Sequence, residues 1–576
     1  MASRLKCKAA GFISAALVCF CCASCVKVNY GVGSNLIPDS QLYDIYTVEF
    51  PLEDIQMKML DSLSGISSSR ITIGAIRDEE FGLTTRGCAM SLVPLSDTVD
   101  FGKNPQFRYF HFTAAHDTTN YASSSEANIL QHVNVYELSE PMDFTRVDLN
   151  APIAHGASRI TAGIPVYNGK DSLSFDFSEE FGRKYMQIQL SDLKDMDTYL
   201  AKFPGIYIDT DVPSGIGGRI NMFQLQLGIN TSYGYVTKDY AELAFTAEYN
   251  GERKDTSFLF MLSPSHMFDK DSLVNAQSQQ GMTTFKFPEY CFNVTSHETR
   301  GRVGQVSEDI CIEGGGGLKA VFSAKEIQNK LNAEIGKNGN PAEAVISRAS
   351  LILPFEFPDD YRTMFLYPDY ISPTCRMAGK TADGTRVVSY ASITDISSDN
   401  EDPGKLNRSL LQYAPDITYH VQQLLNMKEG IDLTNYDIWT LLMSTEETTV
   451  ENDNSSSMND YYSALMMSQY MNSLYGYGYG GYGGYGGYGY GGYGGYGGYG
   501  YGGYGDYYGY GGYGYSNYMS MYMMSQMYAN SGSSTTTNTY VEMDKDRYFK
   551  AVLNGPDSKS GRVPTLKVVY ALPKGE

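Results

Sequence analysis

Apolar residues alternate with polar ones in several segments of this chain. The clearest examples are Met186–Leu190, Phe223–Ile229, Leu243–Tyr249, Leu351–Phe357 and Leu566–Leu572. Side chains of a β-strand point alternately to the two faces of its sheet, so this period of two is typical of strands with one face in a core. The pattern therefore predicts a fold dominated by strands.

Helical patterns are few and short. Leu193, Met196, Leu200 and Phe203 would share one helical face, and Ser323 with Glu326 forms a capping box before an apolar helical stretch. A parallel sheet would need a helix after nearly every strand, which this spacing does not supply. We therefore predict a mainly β fold of two tandem antiparallel β-sandwich or jelly-roll-like domains with a few short helices.

The two halves show the same order of elements. The first runs from a helix at 193–203 through GIYIDTDV, RINMFQLQLGI and AELAFTAEY; the second runs from YHVQQLLN through YDIWTLLMST, RYFKAVLNG and PTLKVVYALP. This order predicts a first domain at 42–257 and a second at 258–576. The short loop at 210–218 would match an insertion at about 444–543, which a surface position tolerates because loop closure entropy grows slowly with length.

Within that predicted insertion, Tyr475 to Tyr515 contains only tyrosine and glycine apart from Asp506. Glycine supplies no side chain to bury, so such a tract is expected to stay disordered. Its closely spaced tyrosines suit adhesion, self-association or stacking on sugars. An expanded repeat with no dedicated ligand is an equal alternative.

The first residues resemble an export signal. Arg4, Lys6 and Lys8 precede an uncharged, largely apolar stretch at 9–24 that is too short for a comfortable membrane-spanning helix. Small residues at 23 and 24 precede Cys25, as in a bacterial lipobox, whereas Cys22 occupies the position where leucine is usual. We predict a signal peptide at 1–24, lipid attachment at Cys25 and a tether at 25–41, with Cys22 as the alternative acceptor.

The chain is acidic, with a formal net charge of -21 at pH 7. An acidic surface repels phosphate backbones, and no basic cluster interleaved with aromatic residues is present, so no nucleic-acid partner is expected. Four cysteines remain beyond the predicted lipid site. They are widely scattered, which favours buried free thiols over any of three disulfide pairings: Cys88, Cys291, Cys311 and Cys375.

A search for catalytic and metal-binding patterns finds none. His111 and His116 stand five apart in a predicted strand, which sends their rings to opposite faces. The run Gly314–Gly317 lacks the spacing of a phosphate-binding loop and is interpreted as a turn. An acidic loop is better explained as a solvated charge run than as a calcium site: Asp395, Asp399, Glu401 and Asp402. We therefore expect no catalytic residues, no cofactor and no metal, and a core-packing role for the single tryptophan, Trp439.

Several short motifs together resemble one family. These are GVGSNLIPDS, IGAIRDEEFGLTT, VNVYELSE, EGGGGLKAVF, SRASLILPF and VPTLKVVYALP. They are similar to the bacterial lipoprotein family filed as domain of unknown function 4270, over most of the mature chain. The resemblance implies a strand-rich envelope lipoprotein with no assigned reaction, and the Gly/Tyr insertion departs from the family pattern.

These patterns predict a non-enzymatic, lipid-anchored cell-envelope protein with a structural, adhesion or partner-binding role. The expected location is the outer membrane of a diderm bacterium, with the periplasmic or surface face left open. The membrane, through the N-terminal lipid, and an envelope protein or a glycan are the expected partners. The alternative is a carbohydrate-binding or carbohydrate-processing surface lipoprotein, which an exposed row of aromatic residues or a close carboxylate pair in a cleft would favour.

Overall fold

A computed structural model of the chain describes residues 42–67, 70–96, 98–121, 129–142, 148–225, 227–230, 235–263, 284–287, 289–380, 386–394, 402, 404–428, 430–451, 535–543 and 545–574. The predicted signal peptide, the tether with Cys25, the Tyr475–Tyr515 tract and Asp395, Asp399 and Glu401 lie outside these residues. The described part is mainly β with a few short helices, which confirms the predicted fold class. None of its helices is both long and apolar enough to cross a membrane.

The first group of strands comprises a 14-stranded sheet and a small three-stranded sheet, with every pairing antiparallel. Its strands are β3 (Ile66–Ser67), β4 (Arg70–Asp78), β5 (Gly82–Pro94), β6 (Lys103–Ala114), β7 (His116–Tyr121), β8 (Gln131–Leu138), β9 (His155–Arg159), β10 (Val166–Tyr167), β11 (Leu173–Asp176), β12 (Ile206–Thr210), β13 (Gly217–Gln224), β14 (Leu227–Asn230), β15 (Tyr235–Lys238), β16 (Tyr240–Tyr249), β17 (Glu252–Ser263), β18 (Thr284–Phe287) and β19 (Cys291–His297). The helices of this group are α1 (Glu179–Tyr185), α2 (Met196–Lys202) and a 3₁₀ turn at Asp192–Lys194.

The second group forms sheets of four, seven and two strands, again antiparallel. Its strands are β1 (Tyr43–Pro51), β2 (Ile55–Met59), β20 (Gly304–Gln305), β21 (Asp309–Glu313), β22 (Leu318–Phe322), β23 (Val345–Pro354), β24 (Tyr370–Lys380), β25 (Arg386–Ser392), β26 (Gln412–Tyr413), β27 (Ile438–Glu451), β28 (Thr535–Met543), β29 (Lys550–Asn554) and β30 (Thr565–Pro573). The helices are α3 (Ala324–Ile335) and α4 (Thr418–Asn426), with 3₁₀ turns at Pro341–Glu343, Tyr361–Phe365 and Thr434–Tyr436.

The division of the chain between the two groups differs from the predicted boundary. Residue 257 lies inside β17, and β19 continues the first group by pairing with β5. The first two strands of the chain belong instead to the second group, because β1 pairs with β30 and β2 pairs with β22. The physical reason is burial, since Phe50, Ile55 and Met57 contribute to the hydrophobic core of the second group.

The two groups share a pattern of strand pairing. In the first, β12 pairs with β5 and β8, β13 with β4, and β16 with β6 and β17. In the second, β27 pairs with β22 and β24, β29 with β21, and β30 with β23 and β1. The similarity of the two halves therefore extends from element order to strand pairing, with β1 in the place of β17.

The predicted insertion at 444–543 begins and ends as an antiparallel strand pair. β27 and β28 pair from Met443 opposite Met543 to Glu451 opposite Thr535. The flanks of the insertion therefore extend the sheet of the second group, and residues 452–534 between them lie outside the described part of the chain.

Two local predictions are wrong. Met186 to Leu190 was expected to be a strand, but it forms turns after α1, with Ile188 buried and Leu190 half exposed. The alternation of apolar residues here does not correspond to one buried face, because of these apolar residues only Ile188 is buried. The strand expected to reach Phe357 ends at Pro354, where the chain turns away from the sheet.

Other local predictions are confirmed. The Ser323 hydroxyl accepts a hydrogen bond from the Glu326 backbone N–H and caps α3. The Glu326 carboxylate accepts from the backbone N–H groups of Glu53 and Asp54, so it holds the turn between β1 and β2. Trp439 is buried, and the four cysteines predicted as free thiols are free and buried: Cys88, Cys291, Cys311 and Cys375.

Aromatic side chains fill the core of the first group. The fully buried Phe110 on β6 lies at its centre. Its ring centroid is 4.7 Å from that of Phe177, 5.2 Å from Tyr185 and 5.3 Å from Phe260. Rings at these separations and inclinations add a directional attraction to the burial of apolar area.

Candidate functional site

A glycine turn, Gly314–Gly317, joins β21 to β22 at the boundary between the two groups. Gly317 N–H donates to the Gly314 carbonyl at 3.1 Å, as expected for the predicted turn. A Cβ atom on Gly315 would lie 2.9 Å from the Arg86 guanidinium nitrogens, and one on Gly316 would lie 2.2 Å from Asn150 Oδ1. The turn is glycine because side chains of the first group pack directly against its backbone.

Buried charges surround this turn. Lys319 Nζ donates to the carbonyl oxygens of Glu313, Gly315 (3.0 Å) and Gly317 (3.2 Å). Glu313 Oε2 accepts from the Leu318 backbone N–H at 3.3 Å, and Oε1 lies 3.5 Å from Nδ1 of His297. These side chains are almost fully buried, so each charge depends on its partners for stability.

The protonation states follow from these contacts. Burial lowers the pKa of His297, which keeps its ring neutral at pH 7. Burial alone would raise the pKa of Glu313, but its contact with His297, the hydrogen bond from the Leu318 N–H and the charge of Lys319 hold that pKa below its usual value. The site therefore places a buried carboxylate, Glu313, and a buried lysine, Lys319, beside a neutral imidazole.

Arg86 connects this region to the end of the chain. Its guanidinium donates to the carbonyl oxygens of Lys545 at 2.9 Å and Arg547 at 3.4 Å. Asn293 Nδ2 donates to Asp546 Oδ1 at 3.2 Å, so a second residue of the first group holds the same segment. We call Arg86, His297, Glu313 and Lys319 the polar junction, because they join the two strand groups.

A cleft of about 750 Å³ opens beside the polar junction. The end of β4 and the following turn form one wall, while β21, β29 and the segment after β23 form the others. Eight carboxylates and two lysines line it, which gives the cleft a strongly negative balance. We call it the acidic cleft, and its charged residues are Asp78, Glu79, Glu80, Glu308, Asp309, Glu356, Asp359, Asp360, Lys550 and Lys559.

Ion pairs fix part of the cleft wall. Lys550 contacts Asp78, and Lys559 lies 2.8 Å from Glu308. Burial alone would raise the pKa of Asp78, but the charge of Lys550 lowers it overall. Burial raises the pKa of Asp309, and the neighbouring Glu80 and Glu308 add to that rise. Asp309 therefore lies in a negative local field that a cation would relieve.

Exposed aromatic side chains stand beside the carboxylates. Phe357 lines the cleft and is 58% exposed. Tyr361 and Phe365, in the 3₁₀ turn that follows, are 59% and 68% exposed. Large apolar side chains left this open beside a cavity are typical of a binding surface.

The residues singled out in the sequence do not meet at this cleft. His111 Nδ1 lies 2.7 Å from Asp176 on the surface of the first group, and Asp402 Oδ1 accepts from the Gly404 and Lys405 N–H groups in a turn. Across the described ranges, no group of three or more His, Cys, Asp or Glu is arranged to hold a metal ion.

Sequence reasoning missed the acidic cleft. Its carboxylates come from separate segments around positions 78–80, 308–309 and 356–360, which only the fold brings together. No protein-family model, no curated protein and no solved structure matches this chain. The function of the chain is therefore inferred from its own geometry.

Proposed function

We propose that this protein is a lipid-anchored envelope protein that binds a partner and performs no chemistry of its own. The basic start, the uncharged stretch at 9–24 and the small residues before Cys25 support export and lipid attachment. The short motifs that resemble the lipoprotein family filed as domain of unknown function 4270 support an outer-membrane location. Several acyl chains on Cys25 would anchor the protein firmly, at roughly 0.8 kcal/mol per buried methylene.

The acidic cleft is the observation that supports binding. Its carboxylates outnumber its lysines by eight to two, so it favours a positively charged partner. Phe357 at its wall adds apolar surface that a chain segment would cover. The partner best suited to this combination is a basic, partly apolar segment of another envelope protein.

Lipid attachment is tested by labelling cells with a fatty acid. Replacing Cys25 with serine is expected to abolish labelling, because the thioether needs the thiol at this position. The matched control is Cys22→Ser, which removes the alternative acceptor and is expected to leave labelling intact. Labelling that survives Cys25→Ser, or is lost only in Cys22→Ser, would place the lipid elsewhere.

Partner binding is tested with a fluorescent lysine-rich peptide and the mature chain carrying Cys25→Ser. Replacing Asp309 with lysine is expected to weaken binding at least about tenfold, because it reverses a charge in the cleft. The control Glu252→Lys makes the same reversal at an exposed position on β17, outside the cleft, and should leave the affinity unchanged. Equal losses in both variants would show that only the net charge matters and would remove the cleft from the proposal.

Glycan binding is the second candidate, favoured by the exposed rings of Phe357, Tyr361 and Phe365. Aromatic faces stack on sugar rings, and such binding would depend little on salt. Neutral oligosaccharides tested on the same protein separate the two candidates. Binding that is lost in Phe357→Ala but kept in Asp309→Lys would favour the glycan.

A further inference from the structure

We propose that β1 is an interaction surface on which a second copy of this chain adds its own β1, antiparallel, so that one sheet continues across two molecules. β1 lies at the edge of the four-stranded sheet, in the order β1-β30-β23-β26. Within the described ranges, β30 is the strand that pairs with it. An edge strand presents a row of backbone donors and acceptors to any added strand.

Two hydrogen bonds show which backbone groups face this open edge. Lys574 N–H donates to the Leu42 carbonyl at 2.8 Å, and Leu52 N–H donates to the Pro564 carbonyl at 2.8 Å. In an antiparallel pair, alternate residues bond to the partner strand. Even-numbered residues of β1 therefore bond to β30, and odd-numbered residues point their N–H and C=O groups outwards.

The open edge spans four residues: Tyr43, Ile45, Thr47 and Glu49. It ends at Pro51, which has no N–H and whose carbonyl accepts from Lys330 Nζ at 2.7 Å. Tyr43 is 52% exposed and Ile45 is 73% exposed. The edge is thus accessible and apolar at the end farthest from Pro51.

The equivalent strand of the first group has a different edge. In the first group, β17 takes the place of both β1 and β2. Its residues 252–260 pair with β16, as β1 pairs with β30, and its residues 260–263 pair with β5, as β2 pairs with β22. Its open part begins with Glu252, Arg253, Lys254 and Asp255. Charged residues protect an edge against added strands. The exposed end of the β1 edge carries tyrosine and isoleucine instead. The edge of β1 is therefore open to an added strand, whereas the charged edge of β17 disfavours one.

The face of the sheet favours a second copy as the occupant. Ile45, Ala571 and Val345 form a row across three strands, and Val345 is 52% exposed. A two-fold axis at Ile45 would place the two Ile45 side chains together and Tyr43 opposite Thr47 of the second copy. The row of Ile45, Ala571 and Val345 in one copy would then continue into the same row of the second copy. No two residues of like charge would lie opposite each other.

This register also keeps Pro51 outside the pairing. A two-fold axis at Thr47 would place Pro51 opposite Tyr43, where its missing N–H and its occupied carbonyl would break the ladder. The pairing centred on Ile45 avoids this loss. Anchoring both copies to one membrane would raise their effective concentration, a step that rests on the proposed lipid attachment.

Sedimentation of the mature chain carrying Cys25→Ser tests the pairing without a membrane. We expect a concentration-dependent dimer, and Ile45→Lys is expected to weaken it at least tenfold because it places two cations together. The matched control is Ile216→Lys, which changes an isoleucine that is 61% exposed in the loop between β12 and β13. A chain that stays monomeric, or a dimer that Ile45→Lys leaves intact, would overturn the proposal.

Disulfide trapping tests the register independently of the lipid and of the acidic cleft. Ile45→Cys is expected to give a covalent dimer under mild oxidation, since paired strands bring these Cα atoms within disulfide range. Arg253→Cys on the charged edge of β17 should remain unlinked. The native thiols are buried and are therefore not expected to form disulfides between molecules. Self-association through another part of the chain would leave Ile45→Cys unlinked and would also overturn the proposal.

Discussion

Replacing Lys319 with methionine is expected to lower the free energy of unfolding by about 3 to 5 kcal/mol, because it leaves three buried carbonyl oxygens without their donor and removes a positive charge that stabilises the buried Glu313 carboxylate. Lys319 Nζ donates to three carbonyl oxygens of the glycine turn, and none of them has access to water that would replace it. Urea denaturation of the mature chain, followed by fluorescence, measures the change.

The control for this prediction is Lys325→Met on the first turn of α3, whose side chain is exposed. It makes the same chemical change without removing a buried partner and is expected to alter stability by less than about 0.5 kcal/mol. If Lys319→Met and Lys325→Met have equal stability, the polar junction does not hold the two strand groups together.

Replacing Phe110 with alanine is expected to cost about 3 to 5 kcal/mol, because it leaves a cavity among rings that cannot collapse into it. Phe110 is fully buried and contacts the rings of Tyr185 on α1 and Phe260 on β17. The thermal midpoint and the urea midpoint of the variant both report the loss.

Tyr109 provides the matched comparison for Phe110. It is the preceding residue of β6, points to the opposite face and is 38% exposed. Tyr109→Ala is expected to cost about 1 to 2 kcal/mol, since the ring is partly exposed, leaves no enclosed cavity and gives up one hydrogen bond to Glu242. Similar costs for the two variants would mean that the aromatic cluster does not determine the stability of the first group.

Local patterns in the sequence predicted many elements of the fold. The alternation from Leu566 to Leu572 corresponds to β30, and the capping box at Ser323 corresponds to the start of α3. These signals are local, because strand periodicity and helix capping depend on neighbouring residues. The segment Met186–Leu190 misled the same reasoning, since apolar residues at alternate positions of a turn mimic a short strand although only Ile188 is buried.

The pairing of distant strands could not be predicted from the sequence. β1 pairs with β30, which lies on the order of 500 residues later in the sequence, and no residue pattern in either strand specifies the other as its partner. The same holds for Asp78, Asp309 and Lys550, which meet in the acidic cleft only because β4, β21 and β29 converge there. Charges on separate strands have no common spacing along a chain.

The pairing of β1 with β30 also restricts the order in which this protein can fold. Tyr43 lies opposite Pro573, so this sheet cannot form until two segments on the order of 500 residues apart in sequence are both present. Contacts this distant in sequence slow folding, because a long segment must first be brought back on itself. A chain that emerges N-terminus first would therefore hold β1 without its partner strand until on the order of 500 further residues have been synthesised.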